Sequence, residues 1–180
     1  MNYRDVLLTN ENIIKSTTNM FENISGNYLL PSIVQAQDID LEEIIGTELK
    51  NELQRQVFNN NFKNLYKTLL DDYIQPFLTY SSIVRLIPIV SYKIGNAGVM
   101  TTADEKMNPL QSNQIDKIKA EYQNIADVYK NRLQRFLLKN FNEIPELGAS
   151  TTVDKIKHNL YSSATCGVVL GGQRGRKIIG

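Results

Sequence analysis

The chain has 180 residues, with 20 Lys and Arg against 19 Asp and Glu, so its formal net charge is +1. This length suits one domain with a workable core plus an appendage. A single cysteine excludes an intrachain disulfide. The N-terminus has no apolar signal core, and the most hydrophobic stretch, residues 83–90, is too short to span a bilayer. We therefore expect a protein of a cytoplasm-like compartment that has no membrane partner.

Charge is distributed unevenly along the chain. Residues 151–180 contain five Lys or Arg and one Asp, a charge of +4, so the total of +1 leaves −3 for residues 1–150. A dedicated nucleic-acid-binding domain should carry its basic charge on the folded face. The distribution argues against that class, and it is compatible with a tail that contacts an acidic protein surface or phosphates.

The first forty residues predict two short helices. Thr9 is positioned to cap the first, which extends to about Phe21. We expect residues 26–27, Gly and Asn, to break this helix. Pro31 suits the first position of a second helix that ends near Gln37.

Three further helices are predicted before residue 90. The third is predicted to begin at a capping box. In it the Asp40 side chain accepts hydrogen bonds from the first free N–H groups of the helix, and the Glu43 side chain accepts one from the backbone N–H of the cap residue. Residues 59–61, all Asn, end it and cap the fourth, which follows the i, i+3, i+4 rule over residues 62–74. The fifth, residues 76–86, starts with a proline. Because it is apolar on most sides, we expect it to lie centrally.

The longest predicted helix covers residues 112–140. Its apolar side chains recur at spacings of three and four residues, as in a helical bundle or a coiled-coil seam. We expect this stripe to pack against the rest of the same chain. The stripe consists of Ile115, Ile118, Tyr122, Ile125, Tyr129, Leu133, Phe136 and Leu137.

One β-hairpin is predicted between the last two helices, at about residues 90–102. Asn96, Ala97 and Gly98 should form a three-residue turn that ends in a left-handed glycine. A lone hairpin is marginally stable in water, so it must pack on the helices or on another chain. We predict these three residues as a protein-interaction site.

The C-terminal segment is predicted to be a docking arm. Half of the ten glycines lie after Cys166, which makes the segment costly to order. Its two short apolar runs cannot build a core, so we expect them to lie against another chain, with the basic residues facing acidic groups. The predicted contact residues are Val168, Val169, Leu170, Arg174, Arg176, Lys177, Ile178 and Ile179.

The sequence offers little catalytic chemistry. His158 lacks a positioned partner, although Asp154 could share its helical face, and Cys166 adjoins glycines rather than an electropositive pocket. These two residues alone cannot form a zinc site. Residues 171–177 resemble a phosphate loop, but no Lys-Ser or Lys-Thr follows the glycines. We expect no enzyme activity, no metal and no cofactor.

Six segments carry a family resemblance: LLT at 7–9, PSIVQAQD at 31–38, IIGTEL at 44–49, YIQPFL at 73–78, YKIGNAGVM at 92–100 and ADVYKNRL at 126–133. Over about residues 6–147 the chain resembles the head–tail connector proteins of tailed bacteriophages, also called adaptor or head-completion ring proteins. The likeness is closest to those of Bacteroides-infecting, crAss-like phages. No counterpart of the glycine-rich tail is matched.

This resemblance implies a structural virion protein at the head–tail interface, assembled in the host cytoplasm. Such subunits form a ring, commonly of twelve copies, beneath the portal protein. The ring extends the DNA channel, through which DNA passes without sequence-specific binding, and it receives the tail proteins. The implied partners are therefore the portal, neighbouring ring or tail proteins and further copies of the chain.

Together these observations predict an all-α fold: a helical bundle with one long C-terminal helix, a β-hairpin arm and an extended tail. We expect residues 1–148 to form the connector domain that the resemblance implies, and residues 149–180 to form the basic, Gly-rich docking tail. Two other functions stay open. One is a helical nucleic-acid-binding protein that uses its Gly/Arg tail, and the other is a small helical enzyme subunit whose active site is shared with a second chain.

Overall fold

The structure, a computed structural model, describes residues 2–18, 24–95, 98–101 and 112–148. The expected all-α body is confirmed within these residues, whereas the predicted tail lies outside them. The helices are α1 (Glu11–Thr17), α2 (Gly26–Gln35), α3 (Glu42–Phe58), α4 (Asn64–Thr68), α5 (Gln75–Ser91) and α6 (Ser112–Lys139).

The N-terminal helix is capped one residue later than predicted. The Asn10 Oδ1 atom accepts the Ile13 N–H at 2.9 Å, while the Thr9 hydroxyl is buried and has no hydrogen-bond partner among the described residues. The helix ends at Thr17, because Thr18 is in an extended conformation. The prediction of Thr9 as the cap was therefore wrong: Asn is at least as good a cap, and it lies directly before the helical turn.

The second helix continues into the third without a gap, and two predicted starts were wrong. Ser25 caps α2, so Pro31 lies inside the helix rather than at its first position. A π-helical segment, Ala36–Leu41, leads directly into α3. Asp40 therefore caps nothing, and its carboxylate faces α5 instead.

A buried glycine bends α3. Gly46 has φ 78° and ψ 162°, which no residue with a Cβ adopts without strain. Ile44 and Ile45 before the bend and Leu49 and Leu53 after it are all fully buried, so both halves face the same core. The helix ends at Phe58, as predicted from the asparagine run. However, α4 starts only at Asn64, after Lys63, so the run does not cap it.

A second π-helical segment, Leu69–Ile74, connects α4 to α5 without a break. Pro76 was predicted to start a new helix, and that start was wrong. Proline has no N–H to donate to the preceding turn. The wider π turn lies directly ahead of it, where the regular hydrogen-bond pattern is already altered.

The helices form a layer with α5 in the middle. This helix packs extensively against both α2 and α6, whereas α2 and α6 barely contact each other. The main core lies between α3, the second π segment, α5 and α6, and a smaller cluster joins α1, α2 and α5. The larger core includes Leu41, Ile44, Leu49, Leu53, Leu69, Ile74, Leu78, Leu133 and Leu137.

Two glutamine side chains hold the N-terminal segment on this core. Gln37 accepts the Leu8 N–H at 2.8 Å and donates to the Val6 carbonyl at 3.2 Å. Gln54 donates to the carbonyls of Arg4 and Val6 at 2.9 and 2.8 Å. Gln37 and Gln54 are both buried, and they replace the backbone partners that an irregular segment lacks.

The long helix agrees with the predicted range, but its stripe is only partly internal. Leu133 and Leu137 are fully buried, and Tyr122, Tyr129 and Phe136 are partly buried against the core. Ile118 and Ile125 are exposed, so the expectation that the whole stripe packs within the chain was wrong for them.

Two short 3₁₀ turns, Phe141–Glu143 and Pro145–Leu147, return the chain to α3 after α6. The Tyr66 hydroxyl donates to the Glu146 carboxylate at 2.5 Å and ties this return to α4. Burial, and then this hydrogen bond, raise the pKa of Tyr66.

Two strands, β1 (Tyr92–Gly95) and β2 (Gly98–Thr101), pair antiparallel directly after α5. Gly95 pairs with Gly98, so two residues separate the strands instead of the three expected. Gly98 is therefore the first residue of β2 rather than the end of the turn.

Candidate protein-interaction surfaces

The structure leaves most of the predicted contact residues undescribed. The backbone of Gly98 is described, at the start of β2. The other predicted contacts lie outside the described residues: Asn96, Ala97, Val168, Val169, Leu170, Arg174, Arg176, Lys177, Ile178 and Ile179. The helical body itself has two exposed apolar surfaces.

The first surface is the outer face of α2. Leu30 and Val34 lie one helical turn apart, and both are exposed, Leu30 at 53%. The face of α2 about 100° round the helix carries Leu29 and Ile33, which are buried against α5. The helix is therefore apolar on two sides, and its outer side has no partner among the described residues.

The second surface is the outer face of α6, which we call the α6 face. It contains Ile118, Ile125 and Val128, with exposed fractions of 36%, 39% and 58%. A surface helix of a single-chain protein normally keeps one apolar stripe. Here the buried stripe through Leu133 and Leu137 is accompanied by a second, exposed one.

A basic groove continues the α6 face toward the end of the helix. Arg132, Arg135 and Lys139 line it together with Tyr73 and Phe136, and its volume is about 360 Å³. The two aromatic rings pack with centroids 4.3 Å apart. The Arg132 guanidinium lies 5.3 Å from the centre of the Tyr129 ring, which holds it near the helix.

The three cations of the groove have no carboxylate within ion-pair distance in the part of the chain that the structure describes. Cations near a helix C-terminus interact favourably with the helix dipole, and this accounts for Lys139. It does not account for Arg132 and Arg135, which lie one to two turns earlier. The groove can therefore accept an acidic partner.

A larger cleft, about 390 Å³, lies between the first π segment, α5 and α6. Arg85 holds Asp40 in it through two hydrogen bonds, of 2.6 and 3.2 Å, and Ser81 donates a third. The hydrogen bond to Asp40 raises the pKa of Arg85. Because this pair fastens the π segment to α5, we interpret it as structural.

A second ion cluster stabilises the start of α3. The Lys50 ammonium donates to Asp38 at 3.2 Å and also to Glu42. Burial alone would raise the pKa of Glu42, but hydrogen bonds from Lys50 and Thr47 and the Lys50 charge outweigh it and lower that pKa. The same cluster raises the pKa of Lys50 against the effect of its burial.

Within the described ranges, no group of three His, Cys, Asp or Glu side chains could hold a metal ion. None of the described helices is both long and apolar enough to cross a bilayer.

Residues 41–156 match the model of a family of unknown function, DUF6712. The match covers more than half of the chain. The chain belongs to this family. No curated protein and no solved structure matches it. The DUF6712 region begins at the end of the first π segment, so it includes the α6 face and the basic groove but not the outer face of α2.

Sequence reasoning missed both exposed helix faces, although part of the signal was available. On an α-helix Ile118 and Ile125 lie to one side of the line through Leu133 and Leu137, and Val128 lies further round on the same side. An apolar stripe too wide for one buried contact indicates a second partner. On α2, Leu30 and Val34 gave a similar signal.

Proposed function

We propose that this protein is a structural virion subunit that forms a head–tail connector ring in a tailed bacteriophage. In this role it binds the portal, extends the DNA channel and receives the tail. The proposal starts from the resemblance of residues 6–147 to connector proteins. DUF6712 membership is neutral on it, because that family has no known function.

The observation that carries the proposal is the pair of exposed apolar faces on α2 and α6. These helices lie on the two sides of α5, so Leu30 and Val34 belong to a different flank from Ile125 and Val128. A closed ring needs two different surfaces on each subunit, because every subunit contacts its neighbours head to tail. Two separate apolar faces supply such a pair.

The two appendages would provide the contacts to other proteins. The hairpin arm extends from the end of α5, and its tip, residues 96–98, would reach a neighbouring subunit or the channel. The extended tail, with its charge of +4, would dock on an acidic surface of the portal or of an adjacent ring subunit. Many weak arms in one ring reinforce each other, which offsets the cost of ordering each one.

The test is reconstitution with a tailed-phage portal protein. The full chain should co-elute with the portal and appear as an added ring in electron micrographs. Leu30→Glu/Val34→Glu should prevent ring closure, whereas Gln35→Glu, on another exposed side of the same helix, should not. If the wild-type chain never associates with portal particles at any salt concentration, the proposal is wrong.

The alternative function is nucleic-acid binding, and the basic groove is the described feature that favours it. Arg132, Arg135 and Lys139 could contact phosphates. Against it, residues 1–150 carry a charge of −3, and a long polyanion would meet that charge outside the groove. Titration with duplex and single-stranded DNA separates the two functions, since only a DNA-binding protein should bind either in the absence of the portal.

A further inference from the structure

The α6 face and the basic groove together form one continuous heptad seam. Its positions are spaced alternately by three and four residues, the 3.5-residue period of a coiled coil. The seam is about 30 Å long at 1.5 Å per residue. Its members, all exposed, are Ile118, Glu121, Ile125, Val128, Arg132, Arg135 and Lys139.

The order of residues along the seam selects a self-complementary partner. In the antiparallel register that places Ile125 of one copy opposite Val128 of a second, Glu121 lies opposite Arg132 and Ile118 opposite Arg135. A two-fold axis repeats each pair, so two apolar pairs lie at the centre and an ion pair flanks them on each side. Opposite charges at facing positions of paired helices stabilise the pairing and set its orientation.

A parallel arrangement is disfavoured by the same residues. It would place Glu121 against Glu121 and would stack Arg132, Arg135 and Lys139 on their own copies. The chain's own tail is also a poor occupant, because its charge of +4 would meet three cations at the groove. A second copy in antiparallel orientation is therefore the occupant that the charges favour.

We infer that the free protein forms a two-fold dimer through antiparallel pairing of α6 along this seam. The contact is isologous, and such a contact closes on itself. The dimer would thus cover the α6 face before assembly, and a ring contact through the same face would have to displace the second copy. This inference concerns the isolated chain and does not depend on the proposed virion function.

The experiment uses charge reversal at one ion pair, followed by mixing. Glu121→Arg and Arg132→Glu each turn both flanking pairs into like-charge contacts. Each variant alone should dissociate, with a dimer Kd raised about tenfold or more, because each exposed pair changes from attraction to repulsion. Mixing the two variants restores an opposite-charge pair on both sides, so they should form a heterodimer with near wild-type affinity.

Analytical ultracentrifugation over a concentration series measures the dimer Kd of the full-length wild type, of each variant and of the mixture of the two variants. Circular dichroism of each variant, together with the rescue on mixing, separates loss of pairing from loss of folding. As a control, Asp127→Arg changes a carboxylate on the opposite side of α6, facing the larger cleft, and should leave the Kd unchanged. A wild-type chain that is monomeric throughout overturns the inference, and so do two variants that fail to associate when mixed.

Discussion

Gly46→Ala tests whether the bend in α3 is required by the fold. Gly46 is buried, and its φ of 78° with ψ of 162° belongs to a region that only glycine populates freely. An alanine at position 46 must either keep this strained backbone conformation or adopt helical angles, which would straighten the helix. Straightening would rotate Ile44 and Ile45 relative to Leu49 and Leu53, although all four are buried in one core.

The expected loss of stability follows from two opposing terms. Holding a non-glycine residue in this region costs about 1–3 kcal/mol. Gly→Ala also lowers the conformational entropy of the unfolded chain, which stabilises the folded state by about 0.4–1 kcal/mol. The net loss in the free energy of unfolding should be about 1–2 kcal/mol, which lowers Tm by about 2–8 °C in a chain of this size.

Thermal unfolding followed by circular dichroism measures this loss, and Gly148→Ala is the matched control. Gly148 has φ −92°, and a Cβ there would lie 3.6 Å from the Pro145 carbonyl oxygen, an ordinary contact. The control should therefore unfold at or slightly above the wild-type temperature. An unchanged Tm for Gly46→Ala, accompanied by increased helical signal, would refute the argument that the core requires the bend.

Four further variants have expected outcomes. Gln37→Leu should lower the free energy of unfolding by about 1–3 kcal/mol in urea titrations, since it leaves the buried Leu8 N–H unpaired. Gln54→Leu should cost less, because it also removes a buried side-chain oxygen that has no partner in the part of the chain that the structure describes; equal losses would count against this explanation. The lowered pKa of Glu42 stabilises the fold above the group's ordinary value of 4.5, a contribution lost as the pH falls below it. The free energy of unfolding of Glu42→Gln should therefore depend less on pH below the ordinary value of 4.5 than that of the wild type. An unchanged pH profile would contradict the role of the lowered Glu42 pKa. Deleting residues 166–180 should leave a folded helical chain that fails to co-elute with portal particles, and undiminished co-elution would show that the tail is not the docking arm.

Hydrophobic periodicity predicted where the helices lie, but not how they connect. The range of α6 was predicted to within one residue, because a long amphipathic helix depends on many side chains at once. The separate starts at Pro31, Asp40 and Pro76 were wrong. Local signals favoured a new helix at each, whereas tertiary packing continued the existing one through a π segment or past a proline.

The interaction surfaces could be predicted only in part, for a different reason. A periodic stripe shows which residues avoid water, but it does not show whether the partner belongs to the same chain. Ile125 and Leu133 have the same spacing signal, and only packing separates the exposed residue from the buried one. The glutamine contacts to the N-terminal segment were also missed, because Gln37 and Leu8 are 29 residues apart and polar residues carry no periodic pattern.

The two π-helical segments have a consequence for how this chain tolerates changes in length. A π turn accommodates one residue more than an α turn does, so the helix before it and the helix after it keep their buried faces. Deleting one residue within Ala36–Leu41 or Leu69–Ile74 should convert that turn to α-helix and leave the core alignment intact. The same deletion in the middle of α6 would rotate the rest of that helix by about 100° and bury its charged side. Natural relatives whose joined helices are one residue longer or shorter should therefore have that insertion or deletion at the π turns.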